Sequence, residues 1–182
     1  LDRLGGTFAL LAAHAVVMAI VRVLTVPLWG RAVDAYGPRP VLVVCSASIA
    51  LTPLLWIACG PGFLWPLALD AVVAGFLWGG HAIASFDLPL EVTPQRERSY
   101  CLALFSMSLG LGFMASSFVS GGLASELPDA GWLGLSDLEW IFVLSSLGRL
   151  SSALVAARIP SARSTRTRTM LRSALRPPPG VR

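Results

Sequence analysis

The stretch Gly30-Arg31-Ala32-Val33-Asp34-Ala35-Tyr36-Gly37-Pro38-Arg39 places two Arg, one Asp and two Gly between long apolar runs. Its spacing is G-x-x-x-D-x-x-G-x-R. It reads as a short polar hinge, because the residues on both sides carry almost no charge. Over the whole 182-residue chain 55% of residues are hydrophobic and 13% are charged, with a mean hydropathy of +0.71. Soluble domains carry roughly 25% charged residues. With about half of that, the chain cannot cover a water-soluble globule. The composition therefore points to an integral membrane protein.

Five apolar runs are long enough for a helix to cross the hydrocarbon core, which takes about 20 residues. They cover about 8–29, 40–59, 63–86, 100–123 and 138–157. Their length and lack of alternation predict helices, so the expected fold is an all-α bundle of five transmembrane spans within residues 1–160. Residues 161–182 are rich in Ser, Thr, Arg and Pro. That composition predicts a disordered cytoplasmic tail that stays in water or lies on lipid headgroups. Pro27 is expected to kink the first span.

All fourteen bases are Arg, and the formal net charge is +4. Their placement explains the excess better than nucleic-acid binding does. Arg31, Arg39, Arg96, Arg98, Arg158 and the tail arginines fall on one side of the predicted spans; Asp2, Glu126, Asp129, Asp137 and Glu139 fall with Arg3 on the other. The Arg-rich side is expected to be cytoplasmic. The N-terminus of this chain is then outside and the C-terminus inside, in a multi-pass protein of the plasma membrane. Trp56 and Trp65 flank the expected outer turn at Gly60-Pro61-Gly62, where aromatic side chains anchor spans to headgroups. Cys45, Cys59 and Cys101 are dispersed, without a C-x-x-C pair, and read as small buried hydrophobes. Gly75 and Gly79 on the third span form G-x-x-x-G, and Gly112, Ser116 and Ser120 recur on the fourth; both patterns allow helices to approach closely.

Ionisable residues inside spans are costly in lipid and mark the bundle interior. These are His14, Arg22, Asp70, His81 and Arg149. Asp70 and His81 are eleven residues apart, about 16 Å along one helix face, with Trp78 beside His81. This face is a candidate substrate or proton path. Arg149 and Arg22 either offset Asp70 or hold an anionic group of a substrate; for Arg22 the plain alternative is snorkelling to the inner surface. Asp87 and Glu91 read as gate or loop charges. No P-loop, H-E-x-x-H, G-x-S-x-G or metal-ligand spacing is present, so neither an enzyme nor a cofactor is expected. An acid–base pair of Asp70 and His81 would be too far apart for one reacting centre.

The motif in Gly30–Arg39 resembles the signature loop of the major facilitator superfamily, G-x-x-x-D-x-x-G-x-R/K, which occurs once in each six-helix half. Gly30, Asp34, Gly37 and Arg39 match it, and Arg31 is an added base. Leu90–Arg98, with Pro94 before Arg96 and Arg98, is similar to the family's cytoplasmic loop two helices later. The resemblance implies that the spans are helices eight to twelve of a twelve-helix secondary transporter, and that the chain is a fragment. Helices two to six would give the same pattern, because the halves are repeats. It further implies rocker-switch transport of a small-molecule substrate across the lipid bilayer, with the remaining half of the transporter as partner. In that scheme Asp34 docks at the positive N-terminus of the fourth span when the cytoplasmic gate is shut, with Arg39 and Arg98 pairing with Asp34, Glu91 or headgroups. The competing reading is a truncated membrane scaffold or accessory subunit, whose loop charges only hold topology. Reporter fusions at Gly62 and after Leu123 should report the exterior, and one at Gln95 the interior; the reverse pattern would remove the topology on which the gate rests.

Overall fold

A computed structural model describes residues 8–60, 62–126, 137–160 and 170. Among them the chain forms six α-helices: α1 (Phe8–Tyr36), α2 (Pro38–Ile49), α3 (Thr52–Ile57), α4 (Trp65–Val92), α5 (Arg98–Glu126) and α6 (Asp137–Ala156). Five stretches are long and apolar enough to cross a membrane, with α2 and α3 together forming one of them. The expected tail lies outside the described residues, apart from Met170.

Helix α1 has 29 residues, ~44 Å at 1.5 Å per residue, against a hydrocarbon core of about 30 Å. It continues through Pro27 and carries Gly30 to Tyr36 as its last two turns. The motif is therefore the end of a helix rather than a hinge. Arg31, Ala32, Val33 and Ala35 have no reason to leave the helix. The chain turns only at Gly37, whose φ of 87° suits glycine. Pro38 and Pro40 then open α2, where their missing N–H groups cost nothing. The Gly37 N–H still bonds the Val33 carbonyl at 2.8 Å, closing the end of α1.

The second apolar run is broken. Pro53 has no N–H for the Ile49 carbonyl, so α2 stops at Ile49. Thr52 Oγ1 donates to that carbonyl instead, at 3.0 Å, and the chain resumes as α3. At the far end of α3, Gly60 and Phe63 exchange backbone hydrogen bonds in a tight turn with Gly62 at φ 78°. Helix α4 runs on through Pro89 to Val92. The polar connection expected over Leu90–Arg98 shrinks to Thr93, Pro94 and the 3₁₀ turn Gln95–Glu97.

The core lies where α1, α2 and α4 meet. Helices α1 and α4 run parallel, and glycines set their distance. A Cβ on Gly75 would lie 2.6 Å from the Met18 carbonyl oxygen, and one on Gly79 3.0 Å from Thr25 Oγ1. The G-x-x-x-G pattern therefore does what its spacing suggested. Gly80 is tighter still: its Cβ would sit 2.5 Å from the Trp29 ring and 2.7 Å from Cys45 Sγ. Trp29 packs against Phe76, with centroids 4.8 Å apart, and its Nε1 donates to the Phe76 carbonyl at 2.7 Å. Around this clamp Val41, Cys45, Ile49, Leu77 and Ala84 are buried. The small residues of α5 behave differently. A Cβ on Gly110 or Gly112 would meet nothing within 4 Å, so that pattern joins no helices among the described residues. Phe113 and Phe118 on α5 are exposed.

Adding one methyl at Gly80 should therefore overpack the clamp. Gly80→Ala is expected to cost ~1–3 kcal/mol in thermal unfolding in detergent, while Gly112→Ala, with open space around it, should be neutral or stabilising by up to about 1 kcal/mol. Equal behaviour of the two variants would contradict this account of the core.

Candidate functional site

Asp70 lies five residues into α4 and is 4% exposed. A carboxylate in such a place needs partners, since nothing apolar can replace its water. Two come from other helices. His14 of α1 places Nε2 2.9 Å from Asp70 Oδ2, and Trp56 of α3 donates Nε1–H to the same oxygen at 3.0 Å. The His14 and Trp56 rings meet edge to face, with centroids 5.5 Å apart. Phe142 of α6 stacks on Trp56 at 6.0 Å. Four helices thus converge on one carboxylate. Its second oxygen, Oδ1, is buried and has no hydrogen-bond partner among the described residues.

A second cluster sits two turns further along α4. Trp78 and His81 pack edge to face at 5.1 Å, and the Arg149 guanidinium of α6 lies over the Trp78 ring, 5.8 Å from its centroid. This is cation–π distance. Arg22 is exposed on the surface of α1.

The signature residues lie at the Gly37 end. Gly30, Val33 and Asp34 of α1 face Ala82, Ile83, Phe86, Asp87 and Leu90 of α4 across an open cavity of about 430 Å³. Asp34 is exposed there, without a hydrogen-bond or ion-pair partner among the described residues, rather than docked on the start of α5. Arg39 donates to the carbonyl of Ala157, one residue past the end of α6, which suits the negative end of a helix dipole. Glu91 is half-buried, while Arg31 and Arg98 are exposed, the latter as the first residue of α5.

The residues expected at the gate and along the path therefore fall into three places. The structure joins Asp70 to His14 and joins Trp78, His81 and Arg149. It leaves Asp34 across a cavity from Asp87. Trp56, expected beside the outer turn, also bonds Asp70. The signal was available: an indole N–H in an apolar run needs an acceptor, and Asp70 is the carboxylate just across the turn. Ser146, one turn before Arg149, was not singled out at all. Its hydroxyl is buried and has no hydrogen-bond partner among the described residues.

Comparison with known proteins places this architecture. The chain is 29% identical over 133 residues to the class E tetracycline resistance protein of Escherichia coli, covering 69% of this chain and 32% of that protein. It is 27% identical over 128 residues to major facilitator superfamily domain-containing protein 10 of Homo sapiens, covering 68% and 27%. With the class H tetracycline resistance protein of Pasteurella multocida it shares 25% identity over 147 residues, 78% and 36% of the two chains. The chain thus spans about a third of the length of these relatives. No solved structure matches it. The Major Facilitator Superfamily model matches residues 2–177, almost the whole sequence, and with five membrane-length helices behind that match, the chain belongs to the Major Facilitator Superfamily of membrane transport proteins.

Proposed function

We propose that these spans form part of a secondary transporter that moves a small organic solute across the plasma membrane by alternating access. The observation that carries the reading is Asp70. It is a carboxylate buried in an apolar bundle, tied through one oxygen to His14 and Trp56 and open at the other. A merely structural carboxylate would gain from having both oxygens bonded. One left open suits a group whose partner arrives and leaves during a cycle. The rest of the transporter supplies the other wall of the path. In this reading the Gly37 end is cytoplasmic, the Gly60 turn is outside, and the C-terminus is inside.

At the cytoplasmic end Asp34 and Asp87 face one open cavity. Two carboxylates there repel unless a cation or a helix N-terminus enters between them. Such an entry closes the gate, and withdrawal opens it. Gly30 and Val33 give the approaching segment room, and Arg39 holds the end of α6 beside the corner. Tetracycline, for which two of these relatives are named, is the first solute to test.

In the full-length protein that contains this chain, Asp70→Asn and Asp34→Asn should each lower the initial rate of tetracycline transport in membrane vesicles. A hydrogen bond to a charged group contributes ~1.5–3 kcal/mol, so the loss should be about ten- to a hundredfold, with the amount of protein in the membrane unchanged. Wild-type rates in both variants would overturn the proposal. A transporter that is inactive toward tetracycline but active toward another solute, and still sensitive to both changes, would uphold the mechanism and replace the solute.

A further inference from the structure

The seam where α4 and α6 face one another without close packing is rich in hydrogen-bond donors. Arg149 carries five N–H groups and touches the face of Trp78, which accepts none of them in the ordinary sense. Trp78 carries an indole N–H and His81 a ring N–H, and the two side chains meet ring to ring. Ser146 lies three residues before Arg149, hence beside it on the same side of α6. Its hydroxyl is buried without a hydrogen-bond partner among the described residues. The nearest carboxylate, Asp70, already receives His14 and Trp56 on one oxygen.

Charge points the same way. Arg149 is a fixed cation beside Trp78, and Asp70, two turns back along α4, already receives His14 and Trp56 on one oxygen. A guanidinium inside a membrane span faces the bundle interior or a water-filled path, where an acceptor on a solute can reach it. The lining is also aromatic: Trp56 and Phe142 lie on the Asp70 side, Trp78 and His81 on the Arg149 side. The guanidinium lies over the Trp78 ring, 5.8 Å from its centroid, and its N–H fork matches a planar, two-oxygen acceptor.

We propose that Arg149, Ser146, Trp78 and His81 form a subsite for the carboxylate of an aromatic organic acid. The guanidinium holds both carboxylate oxygens, the Ser146 hydroxyl donates a third hydrogen bond, and the ring of the ligand packs among the aromatic side chains. This deepens the transport reading and rests on it, because it takes the seam to be part of the solute's path. It places the solute's acidic group by α6 and leaves Asp70 Oδ1 to a different partner.

Radiolabelled benzoate is the probe, added to the full 182-residue chain in zwitterionic nanodiscs. Saturable binding is expected. Arg149→Gln should weaken it about tenfold or more, and Ser146→Ala by about threefold, as for lost charge-assisted and neutral hydrogen bonds. Arg149→Lys should keep part of the affinity, because the charge remains while the fork is lost. Benzyl alcohol and benzylamine should not compete. Gly112→Ala, on α5 where an added Cβ meets nothing within 4 Å, should bind benzoate normally. Should Asp34→Asn transport normally while benzoate binding still needs Arg149, the subsite stands and the gate falls. Absence of saturable benzoate binding to the folded chain, or equal binding by Arg149→Gln, overturns the subsite and leaves the transport reading to its own test.

Discussion

A bilayer interior offers no water to a charged group, so every such group must be answered by another helix. That constraint organises this bundle. Asp70 is answered by His14 from α1 and Trp56 from α3, and Trp56 carries Phe142 of α6 with it. The polar tie works because the apolar packing below it is exact in shape. Gly75, Gly79 and Gly80 remove three side chains from α4, so that the backbone and Trp29 of α1 can lie against it. With bulkier residues at those positions, His14 and Asp70 would be held apart. Small residues at one end of the α1–α4 contact and charged ones at the other thus serve one arrangement.

Much of this was legible in the residues. Run lengths showed the membrane spans, because hydrocarbon thickness sets a length that few soluble helices need. The G-x-x-x-D-x-x-G-x-R spacing pointed to the family that the comparison then established. The charges inside spans singled out Asp70, His14, His81 and Arg149, since each is expensive there and so has a reason to exist. What the sequence hid was pairing. Asp70 and His14 are 56 residues apart, and nothing in either run says which helices lie side by side.

Boundaries were hidden for a different reason. The motif looked like a hinge because it is polar, yet polarity does not end a helix; the positive φ of Gly37 and the rings of Pro38 and Pro40 do. In the second run the break at Ile49 follows from the N–H that Pro53 lacks, and hydropathy alone passes straight over it. For Trp56 the general habit of tryptophan to sit at membrane surfaces drew attention away from its bond to Asp70, a particular need of its indole N–H. The stripe of small residues on α5 permits close packing, but such a pattern does not by itself supply a partner, and none meets Gly110 or Gly112 among the described residues.

The central claim is that His14 and Asp70 stabilise one another across the α1–α4 contact. A double-mutant cycle of His14→Leu, Asp70→Leu and the double variant, read by reversible unfolding of the chain in mixed micelles, measures it directly. The account predicts a coupling of about 1 kcal/mol or more, with the double variant losing clearly less than the two single losses combined. Losses that add within about 0.5 kcal/mol would mean that the pair does not hold the spans together, and would contradict the account.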